Sequence, residues 1–489
     1  MITTIKNKIV LTAILFITVF SISAYAVDKK YIPNTANAAI SFSLDNLSKK
    51  AEGDLQQIFN SLFMQKFADN YLGYRDDEAV AEIMTNKLAQ LFDFSKASKI
   101  IFLNDYKQSS IIIDILDISE LDKLMIKMAS QEDKLISFSE NEKYRYLSLD
   151  ENILISWNNE VFVLSLRGLI FEDDLNIKTS ADIIFNSDSL ENEYFISLEN
   201  DTNDFYAWAD LSILSDSESS LFELFGNMPE DIKDIYKGGI LTAKVNFNDG
   251  IADMIFDTYL QNNDYDILSS KKELPEKELL ENLYKFVNGD KNYGFLSFRF
   301  NSSSTLVKSF ISSFVNNEIS SPSQLFEFCD GDIFVSAWDT EEENTAILFS
   351  MSITDEEKVK NALKTFSSEQ EGEIYNIYGD YYYINNSILY MVTEESVINS
   401  IAKGETPNST LDEDKLKLAN DNMLSLYFNF NTDLGLLFGL EKYIGEFDSL
   451  SLTSNILDNN HTQTIVKVDA KDKTKNILII IKTLIENIK

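Results

Sequence analysis

Ile40-Ser41-Phe42-Ser43-Leu44-Asp45 alternates apolar and polar side chains and ends on an acid. A period of two sends one set of side chains to a core and the other outward, which is the signature of a β-strand. The pattern returns at Tyr206-Ala207-Trp208-Ala209-Asp210, at Leu296-Ser297-Phe298-Arg299-Phe300-Asn301 and at Leu426-Tyr427-Phe428-Asn429-Phe430-Asn431. Each closing Asp or Asn suits the free N–H groups of a first helical turn. Helical spacing follows two of the four, through Leu55, Ile58, Phe59, Leu62 and Phe63 and through Leu306, Phe310, Ile311 and Phe314. The repeating unit therefore reads as a strand followed by a helix.

A second set of matches runs in the same order. The apolar strands Ile111 to Leu116 and Ile347 to Ser352 lead into helix starts, with Ser119 and Thr354 expected as N-caps and acids in the first turn. Further on, Asn158-Asn159 and Asn385-Asn386 each separate two strands, and Asn tolerates positive φ, so both predict tight hairpins. Asp249-Gly250 predicts another turn, between Leu241 to Phe247 and Ile251 to Tyr259. Together these predict an α+β fold, a tandem duplication of antiparallel sheet-plus-helix units. The first repeat spans 31–262, a polar linker 263–273, and the second repeat 274–489, opened by Leu274-Pro275 ahead of a helix from Glu276 to Phe286. The first copy carries an insertion in the helical region Glu52 to Phe92, a place to look for function.

Charge and cysteine usage narrow the role. The 489 residues include 42 basic and 79 acidic side chains, a net charge of −37, which argues against nucleic acid as a partner. Lys6 and Lys8, the apolar run Ile9 to Ile22 and Ala24-Tyr25-Ala26 form a signal peptide over 1–26, with cleavage expected after Ala26. The apolar run is shorter than the ~20 residues of a bilayer span, so no transmembrane span is expected in the mature chain. Cleavage removes two lysines and no acid, and leaves the chain still more acidic. The mature protein is expected outside the cytoplasm, in the periplasm, at the cell surface or secreted. One cysteine permits no internal disulfide, so stability must come from packing.

Tyr31-Ile32-Pro33-Asn34-Thr35-Ala36, followed by a strand and Leu47-Ser48-Lys49-Lys50-Ala51, resembles a family of exported bacterial proteins of unknown function, domain-of-unknown-function family 4836. The start of the second half at Leu274-Pro275, the strand from Phe295 to Phe300 and the ending Lys473-Thr474-Lys475-Asn476 resemble it as well. The resemblance implies export, often with a lipid anchor, and supplies no catalytic residue. This chain lacks the cysteine that such an anchor needs near the cleavage site.

The chemistry-bearing residues are few. His461, in Asp458-Asn459-Asn460-His461, reads as a turn residue between two strands, and Cys329 as a small buried hydrophobe with no histidine to activate it. The acid runs Asp76-Asp77-Glu78, Glu172-Asp173-Asp174, Glu341-Glu342-Glu343 and Asp412-Glu413-Asp414 lack the spacing of a calcium loop. They read as solvated faces able to take Ca²⁺ weakly, and no other cofactor is expected. Trp157, Trp208 and Trp338 alternate with apolar neighbours and read as core. The apolar tail Asn476 to Ile485 is expected to pack as a helix that closes the second half. The inventory assigns no catalytic, cofactor or metal residue and weighs against an enzyme. The expected function is an exported, non-enzymatic binding or structural protein of the bacterial cell envelope that engages a protein or envelope component through its sheet faces. The alternative is a carboxylate-dependent hydrolase acting on glycans at the cleft between the repeats.

Overall fold

A computed structural model describes residues 31–42, 44–53, 90–96, 98–103, 108–131, 137–148, 153–167, 177–188, 203–212, 236–261, 277–299, 325, 328–340, 344–367, 369–431, 445–458 and 460–487. The chain divides into two compact units. Unit 1 takes Met1–Asn227, Gly238–Phe256 and Lys473–Lys489, and unit 2 takes Met228–Lys237 and Asp257–Asp472.

Unit 1 is built on β1 (Ala38–Phe42), β2 (Ser98–Leu103), β3 (Gln108–Asp114), β4 (Ser137–Glu140), β5 (Arg145–Ser148), β6 (Ile153–Trp157), β7 (Val161–Arg167), β8 (Phe205–Asp210), β9 (Ile240–Asn248) and β10 (Ile251–Tyr259), the last three residues of which, Asp257 to Tyr259, belong to unit 2. Their antiparallel pairings run in the spatial order β4-β5-β6-β7-β3-β2-β1-β8-β9, and β10 returns from β9 in a hairpin. Helices α1 (Leu44–Lys50), α2 (Ile118–Gln131) and α3 (Lys178–Asn186) are attached to this sheet. Gly250 makes the β9–β10 turn at φ 71°, and a Cβ there would lie 2.6 Å from the Lys473 backbone, so glycine is required twice over.

Unit 2 holds helix α4 (Lys277–Tyr284), strands β11 (Asn292–Arg299), β12 (Cys329–Asp339) and β13 (Thr345–Ile353), then α5 (Glu356–Phe366). The meander β14 (Glu369–Glu371), β15 (Ile374–Ile377), β16 (Asp380–Asn385) and β17 (Ile388–Val392) follows, then α6 (Glu395–Lys403) and α7 (Glu413–Asp421). Strands β18 (Leu424–Asn429), β19 (Phe447–Asp458) and β20 (His461–Ala470) complete it. The order is β14-β15-β16-β17-β13-β12-β11-β18-β19-β20. Each strand of unit 1 thus has a counterpart ten strands later. The register agrees too: Asn158-Asn159 in the β6–β7 connection occupies the positions of Asn385-Asn386 in the β16–β17 connection.

The α+β expectation is corrected. Twenty strands and eight helices are present among the described residues, and the helices run only 7 to 14 residues. The fold is a mostly antiparallel sheet with few helices, sheet-dominated and not built of α+β sheet-plus-helix units. The physical reason is that short turns join β4 to β7, β9 to β10, β12 to β13, β14 to β17 and β19 to β20, so these strands pair at little entropic cost and the sheet grows while the helices remain attachments. The helical patterns at Leu55 to Phe63 and Leu306 to Phe314 lie outside the described residues.

The helix caps also differ from expectation. Asp117, not Ser119, accepts the Glu120 N–H at 3.0 Å, and Asp355, not Thr354, accepts the Lys358 N–H at 3.1 Å. The Thr354 hydroxyl donates to the Phe328 carbonyl instead. The last strand pairing ahead of each helix fixes the place of the cap: Ile115 and Ile353 still donate to Glu160 and Ser387, so the chain is free to turn only after them.

Candidate functional site: an apolar sheet face in unit 2

Unit 2 uses the two faces of its sheet differently. On one, Phe295, Phe334, Trp338, Leu348, Tyr390 and Val392 form a core with Leu283 of α4, Ile398 and Ile401 of α6 and Ala419 of α7. Alternation puts the other side chains of the same strands on the opposite face. There, register lines up Val466, Leu452, Leu426, Leu296, Val335, Phe349 and Met391 as direct cross-strand neighbours from β20 to β17. Flanking rows add Leu450, Phe428 and Ile347 on one side and Leu424, Phe298 and Ile333 on the other.

This face is apolar yet open to solvent. Leu296 is 36% and Ile347 41% exposed, and the remaining residues of the central row are half-buried. Among the described helices, α5 clusters with it, placing Val359, Leu363 and Phe366 near Met351, Leu389, Phe349 and Met391 at one end. Seven strands at about 4.8 Å spacing, read over three rows, give a footprint on the order of 400 Å². No ionisable side chain interrupts the rows, although the chain carries −37 overall. Patches of this size on a protein surface commonly serve an interaction.

The covered face holds the register that keeps the open face open. Arg299 donates to the Asn420 carbonyl at 2.7 Å beside buried Asp332. Burial lowers the Arg299 pKa, while the Asp332 charge opposes that shift. Ser350 donates to the Leu283 carbonyl at 2.7 Å and Ser336 to that of Gly294 at 2.8 Å. Tyr390 donates to the Asn282 carbonyl at 2.8 Å, and burial pushes its phenol well up. Gly294, at φ 155°, lets β18 approach so closely that a Cβ would sit 2.2 Å from the Tyr427 carbonyl oxygen. A one-residue slip would strand these polar groups and turn the apolar rows inward, so the register is strongly specified.

The residues singled out from the sequence fall elsewhere. His461 is the first residue of β20; its Nε2 lies 2.8 Å from Asp257 Oδ1, its ring stacks on Tyr259 at 4.3 Å, and Gln463 donates to the same carboxylate. Cys329 is buried at the start of β12. Trp157, Trp208 and Trp338 are buried in strands, and the Trp157 indole donates to Asp122 at 2.8 Å. Asp412 caps α7 and pairs with Lys415. The other three acid runs lie outside the described residues, as do the signal peptide and the linker 263–273. The tail forms α8 (Ile477–Asn487), which packs against β9 and α1 of unit 1. Among the described residues no group of three or more His, Cys, Asp or Glu is placed to hold a metal ion. Among them also, no helix is long and apolar enough to cross a membrane. Sequence reading missed the open face, although a signal exists: Ile333-Phe334-Val335 and Ile347-Leu348-Phe349 are apolar on both faces of their strands.

No family model matches the chain. An uncharacterized protein in the tlyA 5′ region of Brachyspira hyodysenteriae is 42% identical over 144 residues, which is 29% of this chain and 95% of that protein. The chain belongs to that protein's family. It is also similar to solved crystal forms III and I of TP0453, at TM-scores of 0.30 and 0.29, with 12% and 11% identity. Those matches cover 54% and 55% of this chain and 90% of each TP0453 chain, a likeness too low to bear on fold or role.

Proposed function

We propose that this chain is an exported, non-enzymatic binding or structural protein of the bacterial cell envelope, which engages a protein or envelope component through the apolar face of unit 2. The observation that carries the reading is the uncharged row from Val466 to Met391, left half open while the reverse of the same sheet is sealed by three helices. Leaving Leu296 and Ile347 in water costs free energy, at about 25 cal/mol per Å² of apolar surface, that a partner would recover. The signal-peptide pattern over residues 1–26 and the resemblance to domain-of-unknown-function family 4836 both support export.

Site-specific photo-cross-linking in the native host tests the binding surface. A cross-linker at Ile347 or Leu296 is expected to capture one defined envelope species. The same probe at Tyr378, 87% exposed and off the face, is expected to capture none of it. Equal capture at all three positions, or none at the face, would defeat the assignment. N-terminal sequencing of the native protein is expected to begin at Val27, and a retained Met1 would defeat export by cleavage.

A further inference from the structure

Unit 2 carries a second concavity, away from the apolar face, between the β14–β16 meander and α6. Two adjoining depressions of about 430 and 500 Å³ share Tyr381, Glu395 and Asn399. Gln370, Glu371, Ile374 and Asn376 complete the first, and Glu394 lies with Thr393 and Ser396 in the second. From this geometry we infer that the groove binds a neutral saccharide, one to three sugar units long. This inference does not rest on the role of the apolar face.

The lining chooses among ligand classes. Glu371, Glu394 and Glu395 offer only acceptors when ionised, whereas Gln370, Asn376 and Asn399 offer both donors and acceptors. An anion would meet three carboxylates, Glu371, Glu394 and Glu395, and no Lys or Arg among the lining residues. A simple cation would use the carboxylates but leave the amide N–H groups without a use. A sugar hydroxyl donates and accepts at once, so a run of hydroxyls matches carboxylates and amides together. Tyr381 adds an aromatic side chain against which the apolar C–H edge of a sugar can pack.

The groove is also held in shape. The Tyr381 hydroxyl donates to Glu395 Oε2 at 3.3 Å, tying the meander to α6. Glu395 and Asn399 stand four residues apart and so share one face of that helix. Asn376 Oδ1 accepts the Gly379 N–H at 3.1 Å, and the Gln370 side chain donates to the Gly372 carbonyl at 2.8 Å, fixing the two turns that border the groove. The volumes fall in the range of about 300 to 1,000 Å³ usual for small-ligand sites.

Isothermal titration of the full mature chain with chitotriose, cellotriose and maltotriose tests this, with spermidine and inositol hexaphosphate as charged comparators. At least one trisaccharide is expected to bind, and neither comparator is expected to match it. Asn399→Ala and Glu395→Gln are each expected to weaken that binding at least tenfold with the melting temperature unchanged, as both residues lie at the helix surface. Failure of all three sugars to bind, undiminished binding by both variants, or tighter binding of spermidine would overturn the inference. Cross-linking at Ile347 does not bear on this result, so the two readings fail separately.

Discussion

The central rows of the two sheets occupy the same register and have different fates. In unit 1 the row runs Ala243, Ala207, Ile40, Ile100, Ile111, Leu164, Ile155 and Leu147, and Ala243, Ile111, Leu164, Ile155 and Leu147 are buried. In unit 2 the matching positions are Leu452, Leu426, Leu296, Val335, Phe349, Met391, Tyr382 and Tyr375, and burial is complete only at Tyr382 and Tyr375. Phe92 and Phe94 belong to the cover in unit 1, with the Phe92 ring 4.9 Å from that of Phe162. Where unit 1 buries Ala243, unit 2 leaves the larger Leu452 half-buried at the matching position. The same strand order therefore carries a row that is buried at five of eight positions in unit 1 and at two of eight in unit 2.

The sharpest test of that contrast puts a charge at one shared position. Ala243→Asp in unit 1 buries an unpaired carboxylate and is expected to cost about 4 kcal/mol or more. Leu452→Asp in unit 2 is expected to cost about 1 kcal/mol, because its carboxylate reaches water. Urea melts of both variants measure this, and equal losses would erase the distinction between the faces.

Alkaline titration comes next. Burial, aided by the Asp380 charge, pushes the Tyr382 phenol up to about 12. Tyr427 is pushed up to about 12 by burial and then by Asp448 and Asp412, and Tyr383 and Tyr390 are raised chiefly by burial. Their unfolded value is about 10, so the folded state keeps protons that the unfolded state releases. The stability they contribute is complete below pH 10 and is lost as pH rises through the folded values. Tyr382→Phe and Tyr390→Phe in unit 2 are expected to flatten this limb. In unit 1, Tyr144, raised by burial and its bond to Asp182, is expected to give a parallel but single contribution. A limb unchanged by Tyr382→Phe, Tyr390→Phe and Tyr144→Phe alike would overturn this assignment.

The paired hairpins allow a smaller test. Asn386 and Ser387 have φ of 52° and 56°, a type I′ geometry, whereas the β6–β7 connection has no positive φ and is held by Asn158 Oδ1 accepting from Glu160 and Val161. Ser387→Gly is expected to stabilise by about 0.5–1 kcal/mol, and Asn159→Gly to destabilise by a similar amount. Thermal melts with the same sign for both would show that the two turns are not different in kind. The smallest effect expected is a modest rise in melting temperature with millimolar calcium, beyond that produced by sodium chloride at equal ionic strength. Identical curves would reduce the acid runs to ordinary solvated surface.

What could be read from the sequence was local. The alternation at Ile40 to Phe42 and Leu296 to Phe298, the Asn-bearing hairpins and the Asp249-Gly250 turn all depend on neighbours a few residues apart. The ratio of strand to helix was not legible in that way, since it depends on how many alternating segments find partners, and the α+β expectation failed on it. Cap positions slipped by one or two residues because Asp117 and Ser119, or Thr354 and Asp355, are equally able to cap, and distant strand pairing decides between them. The contact of His461 with Asp257 joins residues 204 apart, and no spacing rule reaches that far. The open face escaped notice for the same reason, since the cover on a strand is set by elements remote from it.

The return of the chain to its first unit has a consequence for the order of events in time. Helix α8 buries Ile477, Leu478 and Ile480, and the Gly250 N–H donates to the Lys475 carbonyl at 2.8 Å. The Asn476 side chain donates to the Phe247 carbonyl and accepts from the Leu478 N–H, so one residue both ties the tail to β9 and caps the helix. Synthesis runs from the N-terminus, and domains generally close as their last element arrives. The sheet begun first is therefore finished late: it cannot lock until synthesis has passed Ile480, long after β9 and β10 are made.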